Sequence, residues 1–423
     1  MRQNDPLYPV YLNILHEELQ PAFGCTEPAA LAYAAALASE TLGRAPERLL
    51  VTCSGNIIKN VKSVIVPNAG GRKGLDVAAA AGVIAGHAER KLELLSGLTE
   101  SDRQRMDDYL KTASITVALS DSPNPFDICI DAASGSDTAR VRITGGHTNV
   151  VLIEKNGEVL LERSSAQSQS GNSDRTALTV RQILAFADGV DIADVRGVLD
   201  RQIACNMAIA EEGLHGDYGA NIGSVLLKTD GSLRTRLKAT AAAGSDARMN
   251  GCEMPVIINS GSGNQGITVS VPVVTYAREK GLPQEKLYRA LVLANLLAIY
   301  QRSGIGCLSA YCGAINAGIA AACGVVYLQD GTFDDIAHTL VNGLAIASGV
   351  ICDGAKPSCA AKIAVGIDAG LLGYEMYQSN QQFFNGEGIV KGGVDQTIAA
   401  VARLGRDGMR ETDREILHIM IDR

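Results

Sequence analysis

Apolar positions recur at two periods along this chain, and the switches between them outline its organisation. Up to residue 48 the spacing is helical. Val10–Gln20 is amphipathic, and Pro28–Leu42 is an alanine-rich run entered through Thr26, a good N-cap residue. Leu49–Thr52 and then Ile57–Val66 read as strands, the second a β-branched run that ends at Pro67. Helical spacing returns over Gly74–Leu95 and Glu100–Leu110. Ile115–Ser120, Phe126–Asp131, Arg140–Thr144, Asn149–Glu154 and Val159–Leu161 then alternate with period two. Gly145-Gly146 and Asn156-Gly157 supply tight turns between them, which predicts an antiparallel meander. The polar run Ser164–Arg175 has neither period and is the best candidate boundary. From Thr176 onward nearly everything is helical in period, broken by glycine-rich loops at 213–222, 259–266, 303–313 and 350–358.

This pattern predicts an α+β protein of two parts. Residues 1–170 form a mixed domain with a small antiparallel sheet, whose first 48 or so residues are helical and free to pack on either part. Residues 171–423 form a mostly helical, Gly/Ala-rich domain. Composition narrows the function. With 20% charged residues and a net charge of −8, a nucleic-acid backbone is excluded as a partner. Met1–Pro6 lacks the apolar core of a signal peptide. The uncharged stretch Cys307–Gln329 has the length of a membrane span, but it is Gly/Ala-rich and carries Asn316, so a buried helix is expected. The expectation is a cytoplasmic protein with no membrane partner, and the small-residue helical surface suggests a homodimer.

Ten cysteines in 423 residues are too sparse for a disulfide framework, and no Cys-x-x-Cys pair occurs. Six of the ten follow residue 250, in glycine-rich surroundings. Cys312 lies in Gly306–Gly313, where Cys307 competes with it as a ligand, and Cys352 and Cys359 lie in Ile351–Cys359. Gly354 and Pro357 force an irregular turn there that could aim two thiolates at one point. Three thiolates can hold a [4Fe–4S] cluster with one iron open; the plain alternative is that free cysteines are simply buried. Cys53, Cys129, Cys205, Cys252 and Cys323 sit in regular patterns and read as core.

Cys25, just before a helix, is placed where free N–H groups and the helix dipole stabilise a thiolate. It is a candidate nucleophile, base or metal ligand, with a lowered pKa expected, or else a small residue filling a tight turn. In Ser260-Gly261-Ser262-Gly263-Asn264-Gln265-Gly266, alternate glycines leave backbone N–H groups bare for an anion such as a carboxylate. Ser54-Gly55-Asn56-Ile57-Ile58-Lys59-Asn60 looks like a weaker relative, contributing Ser54, Asn56 and Asn60. His147, beside Gly145-Gly146, is the histidine best placed for chemistry. His16, His87, His338 and His418 lie on helical patterns, and His215 in a loop.

Together these segments resemble the iron–sulfur L-cysteine desulfidase family, also grouped as serine dehydratase α-chain-like proteins. The matching pieces are Pro-Ala-Phe-Gly-Cys-Thr-Glu-Pro at 21–28, Ser-Gly-Asn-Ile-Ile-Lys-Asn-Val at 54–61 and Gly-His-Thr-Asn at 146–149. Further pieces are the loop at 260–266, Cys-Gly-Ala at 312–314 and Ile-Cys-Asp-Gly-Ala-Lys-Pro-Ser-Cys at 351–359. The resemblance implies a [4Fe–4S] cluster on Cys312, Cys352 and Cys359, acting as a Lewis acid. It also implies β-elimination from a small amino-acid substrate, with L-cysteine giving pyruvate, ammonia and sulfide. Cys25 is then the candidate base. Ser54, Asn56, Asn60, His147, Ser260, Ser262, Asn264, Gln265 and Lys356 are the substrate-binding candidates. Many relatives read Cys-Gly-Cys at 312–314, and the related serine enzymes carry a carboxyl-terminal cysteine that this chain lacks, which favours cysteine over serine as substrate. A second reading is a pyridoxal-phosphate dehydratase, with the 262–266 loop holding the cofactor and Lys238 as the Schiff base.

Overall fold

A computed structural model describes residues 1–163, 173–306 and 308–421. Most of the expected boundary loop, and Cys307, lie outside the described residues. The amino-terminal half contains α1 (Tyr8–Glu18), β1 (Pro21–Phe23), α2 (Thr26–Leu42), β2 (Arg48–Cys53), α3 (Gly55–Val61), α4 (Leu75–Ala85) and α5 (Glu100–Thr112). Five strands follow: β3 (Ser114–Leu119), β4 (Asp127–Ser134), β5 (Asp137–Thr144), β6 (Val150–Lys155) and β7 (Glu158–Glu162). The sheet order is β3-β2-β4-β5-β6-β7. The meander from β4 to β7 is antiparallel, as the turn signals require. β3 departs from the expected meander. It pairs in parallel with β2 at the sheet edge, because the chain between them passes through three helices and returns in the same direction.

Three further expectations need correction. Ile57–Val66 begins as helix α3: Ser54 is extended at its N-cap, and Ile57 and Val61, four residues apart, share the buried face, so tertiary burial overrides β-branching. The helical run after Gly74 breaks at Gly86 and His87, both with positive φ, and resumes as a 3-10 segment, Ala88–Gly97. His215 is the last residue of a helix rather than part of a loop.

The remainder is helical: α6 (Val180–Gly189), α7 (Ile192–His215), α8 (Ile222–Thr229), α9 (Leu233–Met249), the short β8 (Pro255–Ile257), α10 (Gly263–Glu279) and α11 (Gln284–Ser303). After these come α12 (Gly313–Leu328), α13 (Phe333–Ala347), α14 (Cys359–Gln378), α15 (Val394–Arg403) and α16 (Arg410–Ile421). The expected α+β class holds. Apolar side chains gather in two main clusters. One unites α2, α4 and the inner face of the sheet; the other unites the later helices and takes in α1. α12, from the uncharged stretch, lies buried among α10, α11, α13 and α14, and no helix of the described residues is long and apolar enough to cross a membrane. Gly318 permits this packing: a Cβ there would stand 2.5 Å from the backbone of Gly366 in α14.

A strand pairing joins the two halves of the sequence. β1 pairs antiparallel with β8, Pro21 opposite Ile257 and Phe23 opposite Pro255. On the other edge of β8, the Asn206 amide completes the ladder: its Oδ1 accepts from the Ile257 N–H (2.9 Å) and its Nδ2 donates to the Ile257 carbonyl (3.1 Å) and to Ser270 Oγ (3.0 Å). Nearby, Asn259 Nδ2 donates to Asn295 Oδ1 (2.9 Å), and Asn295 exchanges hydrogen bonds with Gln202 (3.0 and 2.8 Å).

Replacing Asn206 with Leu strands two buried backbone groups, at a cost of about 2–4 kcal/mol in stability. Thr99→Ala, which removes the α5 capping box at the surface, should cost about 1 kcal/mol. Denaturant unfolding of the two variants checks the order; an Asn206→Leu protein as stable as Thr99→Ala would show that β8 does not need its side-chain partner.

Candidate functional site

The β1–β8 ribbon delivers two helix starts to the same place. Gly24, at φ +65°, turns the chain against Pro67, and Cys25 becomes the N-cap of α2, so Thr26 is its first residue rather than its cap. Beyond β8, Ser260 and Gly261 take positive φ and Ser262 caps α10, its Oγ accepting from the Gln265 N–H. Thr26 Oγ1 reaches across to the Gly261 carbonyl (3.2 Å). Arg248, at the end of α9, donates from Nη2 to the Gly24 carbonyl (2.8 Å) and from Nη1 to Asn264 Oδ1 (3.1 Å). The β5–β6 turn presents His147, its ring edge-on to Phe126 at 4.8 Å and its Nε2 4.0 Å from Glu27 Oε1. Gly261, at φ +74°, favours glycine, and a Cβ there would stand 3.1 Å from the His147 ring, a tight contact.

The cysteine segments close the opposite wall. Tyr311 bridges Ile351, the Cys312 N–H donates to the Val350 carbonyl, and the Cys352 N–H donates to the Ala310 carbonyl, so the two irregular loops run side by side. Cys312 becomes the N-cap of α12 and Cys359 the first residue of α14. Lys59, its side chain 1% exposed, ties this wall from behind: its Nζ donates to the Cys352 carbonyl (3.1 Å) and pairs with Asp413 of α16 (2.5 Å).

These pieces enclose a cavity of about 100 Å³. The structure brings Cys25, Asn60, His147, Ser260, Ser262, Asn264, Gln265, Cys312, Cys352 and Cys359 to its wall. It does not bring Ser54, Asn56 or Lys356. Ser54 donates to the Pro125 carbonyl (2.7 Å) at the start of α3, Asn56 on α3 is not among the lining residues, and Lys356 is held by Asp353 and the Gly354 carbonyl. Lys238 is likewise absent from the wall; it pairs with Asp368 of α14 (3.1 Å), which removes it as a group reaching the 260–266 loop. Cys53, Cys129, Cys205, Cys252 and Cys323 do not reach the cavity.

Sequence reasoning passed over Thr26, Glu27, Arg248, Arg302 and Tyr311, all on the wall. The available signal for Arg248 was a charge directly after the small-residue run Ala239–Ala247, where a solvated face has no place. Several wall atoms are buried without a hydrogen-bond partner among the described residues: Asn60 Oδ1, His147 Nε2, Arg248 Nε, Gln265 Oε1 and Tyr311 Oη. These leave unused donors and acceptors around one small space, available to a polar guest or to water.

Burial sets the protonation of the wall. It pushes the Cys25 thiol well above the ordinary cysteine range; the Glu27 carboxylate pushes the same way and Arg248 opposes both. The lowered pKa expected at this helix start is therefore overturned: desolvation outweighs the helix dipole. Burial also raises Cys312, to about 12, with Cys352 and Cys359 adding to the shift, and raises Cys359. For His147 burial acts in the other direction and lowers the pKa from 6.5, favouring the neutral ring. No three His, Cys, Asp or Glu side chains among the described residues are close enough to hold a single metal ion.

Comparison with known proteins fits this layout. A family model described as the serine dehydratase alpha chain matches residues 89–418, a span that holds His147, the 260–266 loop and the three cysteines but not Cys25. A UPF0597 protein of Desulfitobacterium hafniense is 52% identical over 424 residues, covering 100% of this chain and 99% of its own. UPF0597 proteins of Lachnoclostridium phytofermentans (46%; 98% of this chain, 100% of its own) and Treponema denticola (45%; 97% of each) are similar over the same extent. With most of its length under the family model, this chain belongs to the serine dehydratase alpha-chain family.

Proposed function

We propose that this protein is a lyase that eliminates the β-substituent of L-cysteine, giving pyruvate, ammonia and sulfide, with a [4Fe–4S] cluster held by Cys312, Cys352 and Cys359. The observation that carries the reading is the meeting of these three thiols with the 260–266 loop and His147 on one small cavity. The donor set suits a cluster better than a lone ion. Thiolates on one tetrahedral ion stand about 3.8 Å apart, whereas those on a four-iron cluster stand about 6–7 Å apart. That agrees with three thiols that share one wall, near enough for two of them to raise the Cys312 pKa, without forming a single-ion site. When bound, the cluster would supply an open iron as Lewis acid for the β-substituent.

The chain's own residues account for the rest. The bare N–H groups of the 260–266 loop and the start of α10 face the substrate's carboxylate end. His147, neutral because buried, accepts the α-proton; Cys25, whose thiol burial keeps protonated, is a wall group rather than the base. Loss of the α-proton and of the β-carbon–sulfur bond leaves aminoacrylate, which takes up water to become pyruvate and ammonia. Cysteine is favoured over serine because a thiolate-ligated iron prefers sulfur and because sulfide leaves more readily than hydroxide. Serine dehydration on the same cluster is the second reading, favoured by the description of the family model.

Anaerobically isolated protein should carry about four iron and four sulfide per chain, with broad visible absorbance. Cys312→Ala, Cys352→Ala and Cys359→Ala should each lose most of it, while Cys25→Ser keeps it. Iron-free wild type with a discrete yellow Schiff-base band would point to pyridoxal phosphate instead. Pyruvate formation should show a higher kcat/KM with L-cysteine than with L-serine. The reverse order would overturn the substrate and leave the elimination chemistry standing.

The pH profile separates the two candidate bases. A base at His147, its pKa lowered from 6.5 by burial, works unprotonated, so kcat measured at saturating substrate should fall on the acid side and show no further rise on the alkaline side. A base at Cys25 would make the rate climb through and beyond pH 9. His147→Gln should lower kcat about 10²–10⁴-fold and Cys25→Ser only a few-fold. A rate still rising at pH 9 would return the role to Cys25.

A further inference from the structure

We propose that this cavity recognises the zwitterionic head of a free α-amino acid, with Arg248 taking the carboxylate and Glu27 the ammonium group. The inference rests on the amino-acid reading above and adds the two side chains that enforce it. Arg248 is 5% exposed, and its two hydrogen-bond partners, Asn264 Oδ1 and the Gly24 carbonyl, are both neutral. No carboxylate lies within 4.0 Å of it among the described residues, and its Nε is buried without a partner. A guanidinium held this way is desolvated and uncompensated; an entering carboxylate restores the missing charge and can engage it in a planar, two-point fashion.

Glu27 is the complementary case. Its side chain is 13% exposed, and it accepts from Thr26 Oγ1 (2.9 Å), the Cys25 thiol (3.5 Å) and Asn60 Nδ2 (3.3 Å), all neutral donors. The nearest basic group is His147 Nε2 at 4.0 Å, on the same oxygen that Asn60 contacts. No Lys or Arg pairs with Glu27 among the described residues, and a carboxylate has lone pairs to spare for a further donor. The other wall cation, Arg302, donates to the Tyr311 carbonyl on the cysteine side. One wall thus offers a fixed positive and a fixed negative group, neither with a permanent counter-ion, around a space of about 100 Å³ that admits only a small molecule. An amino-acid amide has no carboxylate for Arg248, and a 2-hydroxy acid has no ammonium for Glu27.

Titration calorimetry on the full-length, anaerobically isolated protein tests this with three ligands of one size. L-Alanine carries both charges and no β-leaving group, L-alaninamide lacks the carboxylate, and L-lactate lacks the ammonium. The wild type should bind L-alanine at least tenfold more tightly than either analogue. Arg248→Gln should erase the preference over L-alaninamide and keep the preference over L-lactate; Glu27→Gln should do the opposite. Arg248→Lys and Glu27→Asp keep the charges and should keep both preferences, which covers a neutral variant that fails to fold. Three ligands bound alike by the wild type, no binding of L-alanine, or a variant that weakens all three equally would overturn the assignment. Absence of pyruvate from both cysteine and serine in the same preparation would overturn the elimination reading alone.

Discussion

The pairing of β1 with β8 is the contact on which the site depends. It joins the segment that leads into α2 to the segment that leads into α10, so two helices begin side by side although the residues that touch, Thr26 and Gly261, are 235 positions apart. Closing so large a loop costs conformational entropy before any contact rewards it. The cost is met locally: β8 is paired on one edge by β1 and on the other by the Asn206 amide, and the buried amides of Gln202, Asn259 and Asn295 continue the support into the helical core. A ribbon this short would not survive without that backing.

The same desolvation that makes the wall selective also sorts its charges. Burial moves every titratable wall group that responds to it toward its neutral form: the thiols of Cys25, Cys312 and Cys359 upward and the imidazole of His147 downward. Arg248 and Glu27 both line the same cavity, without an ion pair between them among the described residues. In a space with little water their fields are weakly screened, so a small dipolar guest is oriented by charge before it is held by shape.

The sequence made the irregular parts of the site legible and hid the regular ones. Cys25, His147, the 260–266 loop and the late cysteines stand in glycine-interrupted segments, where side-chain type and backbone freedom together announce a purpose. Glu27 and Arg248 belong to helices, and a charge in a helical pattern reads by default as solvated; only the neighbours folded over them make them interior. Ser54 and Lys356 stand outside the lining although their segments are close to the cavity: Ser54 bonds the Pro125 carbonyl, and Lys356 the Asp353 carboxylate and the Gly354 carbonyl. In the fold, period-two alternation located the strands, but the partner of β3 and its direction are tertiary facts that no local pattern carries.

Lys59 ties the cysteine wall to α16. Its ammonium is buried between the Cys352 carbonyl and Asp413, so the loop bearing Cys352 and Cys359 is braced on one side by α3 and, through a single ion pair, by α16. Asp413 stands 354 positions from Lys59 along the sequence. Without α16 docked, that lysine would be an unpaired charge in an apolar place, and burying it would be unfavourable. The order of the cysteine wall is therefore coupled to a helix that does not line the cavity, and loosening α16 would loosen the loop that carries Cys352.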